Sequence, residues 1–413
     1  MPVDFGRVPP RVAVPPPPRL SVLVWALLLV VIMGVGAALT ITLWPARVPL
    51  DALFWLCCVG YAPLLWGCLL FLRLGHGHLQ CRQTIADNAA SDRIEAGCHA
   101  EAGVPLAVLG HAWCFAGDEK ENDVDGIVSG ATLLDLRSSG TAPGTDVQAR
   151  WLEIPGQRFP PGNARAEVVR QQVIGDWLLD QLIERIRPGL LALPADCDLH
   201  VHLSLQAMRK PEELRGRLEA RIAAIAPALR ITTMASASDV SLFEVDAWHD
   251  SMTPHEVHLL VAIQLRPAIS KLLANGVAEA GTALLVARPG VASNMPASGA
   301  ALHLHRPAKG SFDDASQAMI LAARWGQIAD TPVPTIWAYA LTEDATRQIK
   351  AAPDVSPQAK WIDIDTVVGD CADAGAWLAT ALAIEQASRT GFPQAVLSQH
   401  GNDIVALVCR KQV

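Results

Sequence analysis

The 413-residue sequence predicts a layered, mixed α/β domain that follows a two-helix transmembrane hairpin. Two long uncharged runs near the start predict the hairpin, because each exceeds the ~20 residues that a helix needs to cross a hydrocarbon layer. Alternating strand-like and helix-like segments over the rest of the chain predict the layered domain. The composition agrees with a membrane segment, since 51% of the residues are hydrophobic and only 18% are charged.

The hairpin is predicted over residues 20–72, with spans at 20–44 and 50–72 and a short connection that contains Arg47. A cleaved signal peptide is the alternative for the first span, but its apolar part is too long and a second apolar run follows at once. The other predicted parts are a Pro-rich tail (1–19), a polar, weakly helical linker (73–100) and the α/β domain (101–413).

Arginines on both sides of the hairpin predict its orientation. Three arginines precede it and Arg73 and Arg82 follow it, whereas the connection has only Arg47. By the positive-inside rule both ends face the cytoplasm, so we expect a multi-pass protein of a bacterial inner membrane with its soluble domain in the cytoplasm. Nine cysteines without CxxC spacing do not suggest a disulfide framework. A net charge of -8 without a basic run argues against nucleic-acid binding.

The predicted elements of the domain follow from hydrophobic periodicity and from turn residues. Residues 242–247 and 257–265 are predicted as paired strands around a polar turn, and Ser311 with Asp314 as a capping-box start of a helix. The other predicted strands are 104–110, 197–206, 229–234, 281–287, 300–305, 336–341 and a final pair around the Gly-Asn-Asp turn at 401–403. The other predicted helices are 164–186, 211–225, 268–274 and the segment that follows Gly375.

A glycine-rich turn is the main candidate for a functional site. It contains Gly369, Asp370, Cys371 and Gly375, and it lies between the strand-like segment WIDIDT and a helix rich in small residues. A cysteine at the start of a helix can have a lowered pKa and act as a nucleophile. For Cys371 a small packing residue is the preferred interpretation, and the turn is interpreted as one retained for folding. The two aspartates of WIDIDT, at 363 and 365, are predicted on an amphipathic edge strand.

The densest group of potential metal ligands is His249, Asp250, His255 and His258. The spacing of HEVH on a strand start would direct its two histidines to opposite faces, so a polar hairpin tip is the preferred interpretation. His303 and His305 share a predicted half-exposed strand and adjoin Arg306, an arginine suited to an anion. The sequence contains no P-loop, G-x-G-x-x-G or G-x-S-x-G, and we predict neither a cofactor nor a metal.

Two segments near the end of the chain carry a resemblance to a known family. VVGDCADAGAWLATALAIEQA (367–387) and PQAVLSQHGNDIVALVCRK (393–411) resemble the end of the β-ketoacyl synthases of the thiolase superfamily. The match covers about the last fifth of the chain, and residues 107–118 and 278–290 match more loosely. The resemblance implies a thiolase-like fold for the domain, and it implies a homodimer.

The family's chemistry uses a cysteine nucleophile at a helix start and two histidines that polarise carbonyls. This sequence departs from that pattern. The turn that should hold one histidine reads GDCA (369–372), and the strand end that should hold the other reads AYALT (338–342). The small-residue run TTMASASD (232–239) has no cysteine, and Ser236 or Ser238 would need a base. The resemblance therefore implies a pseudoenzyme.

We thus expect a non-catalytic, membrane-anchored accessory or adaptor protein that binds a protein partner. A two-span hairpin before such a domain is similar in plan to bacterial inner-membrane and adaptor proteins associated with type VI secretion effectors, so an effector is the expected partner. One alternative is a membrane-associated acyl-transfer enzyme that uses Cys371 or a serine of TTMASASD. A second alternative is a metal sensor that uses His249, His255 and His258.

Overall fold

A computed structural model describes residues 3–16, 19–45, 51–142, 144–208, 210–236, 240–293, 301–312, 315–328, 333–351 and 357–412. The chain divides into two compact units. Asp4–Cys98 form the helical unit, and the first three residues with His99–Val413 form the α/β unit.

The helical unit contains two helical stretches that are long and apolar enough to cross a membrane. The first is α1 (Val22–Leu43), whose 22 residues extend for about 33 Å. The second comprises α2 (Ala52–Trp55), a π-helical turn (Leu56–Gly60) and α3 (Tyr61–Ala102). No residue of α1 is buried. Exposed leucine and valine side chains are unfavourable in water, which fits the predicted spans.

The two spans pack against each other, and polar contacts join the segments on either side of them. The indole Nε1 of Trp66 donates to the carbonyl oxygen of Trp25 at 2.8 Å. In the tail before α1, Arg11 donates to Asp92 at 2.8 Å and to Glu95 at 2.5 Å, both on α3. The tail and the polar part of α3 therefore lie at the same end of the hairpin, as the predicted orientation requires.

The linker predicted at 73–100 is instead a continuation of α3, which ends only at Ala102. After Leu72 the sequence keeps strong helix formers such as alanine, glutamine and arginine, and the next proline is Pro105. The connection between the spans, 46–50, lies outside the described residues.

The α/β unit is built on a large mixed sheet and a separate two-stranded ribbon. The ribbon consists of β2 (Leu136–Ser138) and β3 (Asp146–Gln148). The strands of the large sheet are β1 (Leu106–Cys114), β4 (Asp198–Gln206), β5 (Arg230–Ser236), β6 (Glu256–Gln264), β7 (Ala280–Ala287), β8 (Leu302–Leu304), β9 (Ala308–Ser311), β10 (Thr335–Tyr339), β11 (Lys360–Asp363), β12 (Gln394–His400) and β13 (Asp403–Lys411).

The large sheet repeats one topology twice. Its first half has the order β5-β4-β6-β7-β1 and its second half the order β11-β10-β12-β13-β8. In each half the first three strands are parallel, and the fourth is antiparallel to both of its neighbours. The antiparallel pairing of β1 with β8 joins the halves. Each residue of the first half therefore has a structural counterpart in the second.

Helices cover both faces of each half. The helices of this unit are α4 (Val124–Ser129), α5 (Ala164–Leu191), α6 (Pro211–Ile225), α7 (Glu244–Ser251), α8 (Pro289–Ser293), α9 (Ala315–Trp325), α10 (Glu343–Ala351), α11 (Ile364–Val367) and α12 (Asp373–Thr390). Residues of α5 and α6 form a core with the first half, and residues of α9 and α10 form another with the second. The third core contains α7, α12 and the inner faces of both halves.

The helix α12 lies between the two halves and contacts strands of each. Twelve of its 18 residues are buried, including Trp377 and Leu382. A helix that is apolar or small on all sides needs such surroundings, because it has no face suited to water. The strands are also buried on both faces, since Leu259 and Val261 of β6 face one core while Leu260 faces another.

Several predicted elements are confirmed and two are wrong. The helix 211–225 has the predicted bounds, and the final strand pair turns at Gly401 as predicted. Residues 242–247 do not form a strand, because α7 begins at Glu244, and 257–265 pairs with β4 and β7 instead. Residues 268–274 form turns and no helix. Asp314 of the predicted capping box lies outside the described residues.

Candidate functional site

A small cleft of about 200 Å³ opens where corresponding elements of the two halves meet. The beginnings of α7 and α12 and the carboxyl ends of the parallel strands β10 and β12 form its walls. Ligands of α/β proteins usually bind beyond the carboxyl ends of parallel strands, which makes this cleft the candidate site. Its lining residues are Val240, Ser241, Leu242, Tyr339, Ala340, Ala372, Asp373, Ala376, Ser398, Gln399 and His400.

The predicted turn 369–375 contributes Ala372 and Asp373 to the cleft lining, and its two glycines are needed for different reasons. Gly369 has a φ of 112°, and a Cβ there would lie 2.9 Å from the Cβ of Ala278. A Cβ on Gly375 would lie only 2.1 Å from the ring of Tyr339. The turn is also bonded to the first half, since Asp370 donates its N–H to the carbonyl oxygen of Gly276 at 2.6 Å.

Tyr339 connects the end of β10 to this turn. Its hydroxyl lies 3.0 Å from a carboxylate oxygen of Asp370 and 2.7 Å from the carbonyl oxygen of Ala372. Burial, together with the nearby Cys371 and Asp370, raises the pKa of Tyr339, so its hydroxyl stays protonated and donates. The sequence analysis had assigned 338–342 and 369–372 to one site only through the family resemblance, and the structure brings the two segments together.

The backbone is strained on both sides of the cleft. Ala340 has a φ of 54° and Ala372 a φ of 42°. A non-glycine residue with such a φ costs of order 1–3 kcal/mol and persists only where surrounding contacts hold it. The N–H of Ala340 donates to Asp365 at 2.7 Å, and the N–H of Ala372 donates to Asp370 at 2.8 Å. Two buried or half-buried carboxylates therefore maintain the shape of the cleft.

Solved structures that align with this chain include ketosynthases. A chain of the AntDE:AntF structure, described as a type II PKS acyl-carrier protein in complex with its ketosynthase bound to the hexaketide, aligns with a TM-score of 0.50 and 11% identity over 74% of this chain and 99% of its own. The fold is thiolase-like. The ishigamide ketosynthase/chain length factor aligns with a TM-score of 0.49 and 15% identity over 75% of this chain and 100% of its own. Cerulenin-bound OleA of Xanthomonas campestris aligns with a TM-score of 0.43 and 10% identity over 74% of this chain and 96% of its own.

No protein-family model and no curated protein sequence matches the chain. The structural likeness therefore establishes the thiolase-like fold, and the chemistry of the site rests on the residues themselves.

Cys371 is a core residue of this thiolase-like domain. It has no solvent-exposed surface, and its thiol donates to the carbonyl oxygen of Gly369 at 3.3 Å. Burial, reinforced by Asp370 and Asp365, raises the pKa of the Cys371 thiol. The structure agrees with the preferred interpretation of Cys371 as a packing residue and not with a lowered pKa, because α12 begins two residues later and the thiol lies in an apolar core.

The two aspartates of WIDIDT have separate structural roles. Asp363 ends β11, which is the edge strand that was predicted, and its carboxylate caps α11 by accepting from the N–H of Asp365 at 3.2 Å. Asp365 lies within α11, so it is not on the predicted strand. Burial, with smaller contributions from Asp363 and Asp370, raises the pKa of Asp365 to about 6.

Ser241 is the cleft residue that the sequence analysis missed. It precedes α7, the first-half counterpart of α12, and its Oγ accepts from the N–H of Phe243 at 3.2 Å. Of the two serines considered, Ser236 lies in β5 and Ser238 lies outside the described residues. Ser241 could have been identified only from the duplicated topology, because its place in the cleft depends on the correspondence of α7 with α12.

Asp373 and His400 complete the polar lining of the cleft. Asp373 begins α12 and accepts from the side-chain amide of Gln206 at 2.8 Å, and His400 ends β12. The cleft thus contains hydroxyl, carboxylate and imidazole groups within one small volume. Such a set is able to bind a polar ligand or to move a proton.

The predicted ligand group His249, Asp250, His255 and His258 is dispersed in the fold. His249 is buried in α7, and burial together with Arg306 and Arg288 lowers its pKa. His255 is exposed and pairs with Asp196 at 3.5 Å. The polar hairpin tip predicted there is wrong, because α7 is a helix and β6 is a central strand. Within the described residues no group of three or more histidine, cysteine or acidic side chains is arranged for a metal.

His258 joins a different group, which stacks between β4, β6 and α7. Its Nδ1 lies 3.0 Å from Nε2 of His202, and its ring lies 5.2 Å from those of His200 and Trp248. Burial and the neighbouring imidazoles lower the pKa of His202 to about 4 and that of His258 to about 3. His202 and His258 are therefore neutral packing residues at neutral pH.

Arg306 is not available for the anion suggested by its sequence position. It is 4% exposed, its Nε donates to Asp246 at 2.6 Å, and its Nη2 donates to Asp250. Its two carboxylate partners on α7 already neutralise it.

Proposed function

We propose that this protein is a non-catalytic, thiolase-like accessory protein, anchored to a membrane, that holds a protein partner. The observation that carries the proposal is the composition of the cleft wall and of the turn behind it. Tyr339 occupies the strand end, Asp370 occupies the turn, and the only cysteine of the turn is buried with a raised pKa. This arrangement favours a site retained for its shape.

The helical unit supports the anchoring part of the proposal. Two stretches are long and apolar enough to span a bilayer, and the flanking polar segments lie at the same end of the hairpin. A tethered domain meets other membrane-bound or membrane-proximal proteins at a raised effective concentration. The arginine distribution favours the cytoplasmic face of a bacterial inner membrane.

Binding of a protein partner is supported by analogy with one structural relative. The AntDE:AntF structure is described as an acyl-carrier protein in complex with its ketosynthase, so a thiolase-like domain is able to present a surface to another protein. We expect the partner of this chain to be an effector of type VI secretion, because a two-span hairpin before such a domain is similar in plan to proteins associated with those effectors.

A second candidate function is acyl transfer with Ser241 as the nucleophile. The observation that favours it is the position of Ser241 beside the cleft that also contains His400 and Asp373. The strained backbone at Ala340 and Ala372 is also typical of active sites.

One experiment separates the two functions. The full-length protein is cross-linked in its native membrane and purified, as wild type and as Ser241→Ala, and both samples are treated with a fluorophosphonate probe. The proposal expects one protein to co-purify in stoichiometric amount with both forms, and no probe adduct on Ser241. An adduct on Ser241 that is absent from Ser241→Ala, without a co-purifying protein, would establish the acyl-transfer function instead.

A further inference from the structure

A second cavity, of about 290 Å³, lies in the α/β unit beside the pairing of β8 with β13. Its lining residues are Pro105, His303, His305, Gln327, Arg410 and Gln412. His303 and Arg410 are direct partners across the two strands. Every polar side chain in this lining is able to donate a hydrogen bond, and none of these residues is acidic.

His305 is the residue that points to a ligand. It is only 1% exposed, and among the described residues neither of its ring nitrogens has a hydrogen-bond partner of good geometry. The carbonyl groups of Gly103 and Trp325 lie near the ring and oppose the lowering of its pKa, and a neutral imidazole has one N–H to donate to them. Buried polar groups are almost always paired, so this imidazole indicates a missing partner.

The charges around His305 have the same sign. Burial, followed by the effects of His303 and Arg410, lowers the pKa of His305 to about 3. Arg410 approaches the carbonyl oxygens of Gly326 and Gln327 only at 3.4 Å and 3.5 Å, which are long distances for hydrogen bonds. No carboxylate of the described residues forms an ion pair with it. The guanidinium, whose Nη1 makes these two long contacts, therefore lies beside two histidines and is able to donate to an anion.

Gln327, two residues beyond α9, also lines the cavity, and its side-chain amide donates to the carbonyl oxygen of Gly103 at 3.5 Å. After Trp325 the chain leaves the helix with Gln327 in the left-handed region, at a φ of 55°. A glycine would usually occupy that position. The glycine of this turn is instead Gly326, where a Cβ would lie 2.8 Å from the side chain of Val408. Close packing against Val408 therefore requires glycine at position 326, and Gln327 adopts the left-handed conformation.

We propose that this cavity binds a phosphate group, held by Arg410 together with His303 and His305. The planar guanidinium matches two phosphate oxygens, and an imidazole N–H supplies a third donor. The volume exceeds that of a phosphate ion, so a phosphomonoester also fits. The ligand is then either free phosphate or the phosphate of a larger molecule such as an anionic lipid headgroup. This proposal is independent of the proposed function.

The test uses the full-length protein in a neutral detergent and measures binding by calorimetry. One arm titrates inorganic phosphate, a second titrates dihexanoyl phosphatidic acid, and a third titrates dihexanoyl phosphatidylcholine as the reference without a phosphomonoester. We expect Arg410→Gln to weaken binding about tenfold or more, because it removes a charged donor. Arg347→Gln is the matched control, since Arg347 is 74% exposed on α10 and its loss changes the net charge equally.

Each outcome has a defined meaning. Binding of inorganic phosphate identifies free phosphate as sufficient, and binding of phosphatidic acid alone identifies a lipid headgroup. Failure of both ligands to bind the wild type overturns the proposal, as does equal binding by Arg410→Gln. If Arg410→Gln does not fold by circular dichroism, His303→Gln replaces it. That residue is only half-buried, and its substitution is expected to weaken binding severalfold.

Discussion

Gly375 provides the most direct test of how the cleft is built. It is the third residue of α12, and an alanine there would place its Cβ 2.1 Å from two ring atoms of Tyr339 and 2.7 Å from a third. Carbon atoms in proteins do not approach so closely. The ring is unable to swing away easily, because it is 7% exposed and its hydroxyl is held between Asp370 and Ala372.

The expected effect of Gly375→Ala is a clear loss of stability. Extra atoms in a well-packed core cost about 1–3 kcal/mol. Alanine has a helix propensity about 1 kcal/mol better than that of glycine, so without the overlap the same substitution would be stabilising. For a domain of this size each kcal/mol shifts the Tm by about 2–4 °C, and we expect a fall of several degrees.

The assay is thermal unfolding of the full-length protein in detergent, followed by near-ultraviolet circular dichroism. Gly216→Ala is the matched control, because Gly216 lies exposed within α6 and a Cβ there would meet nothing within 4 Å. We expect the control to raise the Tm slightly. A Gly375→Ala protein that melts at or above the wild-type temperature would refute the packing described for the cleft.

A double-mutant cycle isolates the contact itself. In a Tyr339→Ala background, the Cβ of Gly375→Ala no longer overlaps a ring. The loss of unfolding free energy caused by Gly375→Ala should therefore be smaller in this background, by an amount similar to the overlap energy. Contacting residues usually show interaction free energies of about 0.5–3 kcal/mol. Strict additivity would mean that the ring and the glycine do not constrain each other.

Three further predictions concern other parts of the α/β unit. The pKa values of about 4 for His202 and 3 for His258 lie below the ordinary 6.5, so the unfolded chain binds more protons than the folded chain. Stability therefore falls as the pH drops from 6.5 toward 3. His202→Gln should make this fall in Tm with decreasing pH less steep, and an unchanged slope would contradict the stated burial of His202. Gln327→Gly should raise the Tm, because it relieves about 1 kcal/mol of strain at a left-handed residue. A lowered Tm would contradict the presence of that strain. Arg170→Met should lower the free energy of unfolding in urea by about 3–5 kcal/mol, because it removes the cation that pairs with the fully buried carboxylates of Glu167 and Glu279. A loss below about 1 kcal/mol would show that the backbone N–H groups that donate to Glu279 suffice to hold its charge.

Much of the architecture could be predicted because it depends on short stretches of sequence. The helix 211–225 begins at a proline and has apolar residues at helical spacing, and both features act within a few residues. The last two strands surround a turn with Gly401 at positive φ, which is also a local signal. By contrast, residues 242–247 have an apolar pattern that suits either a strand or a helix, and the packing of Val245 and Trp248 against α12 and the sheet decides for the helix.

The turn 369–375 was identified from its glycines and from the following helix. Ala372 and Asp373 of this turn line the cleft, whereas Gly369, Asp370, Cys371 and Gly375 lie behind that lining. The roles within it were not predictable. Whether Cys371 faces solvent or the core depends on Ala278 and neighbouring residues almost 100 positions earlier, and the sequence contains no local signal for that contact.

The sequence by itself determined the two apolar spans and the alternation of strands and helices, because these features depend on composition and on contacts between near neighbours. Only the tertiary structure decided that the sheet repeats one topology twice, that Ser241 shares a cleft with the turn before α12, and that His305 and Arg410 line one cavity. The physical reason is separation along the chain. Strand β1 pairs with β7 more than 160 residues later, and such pairings depend on the simultaneous burial of many side chains, which no single segment specifies.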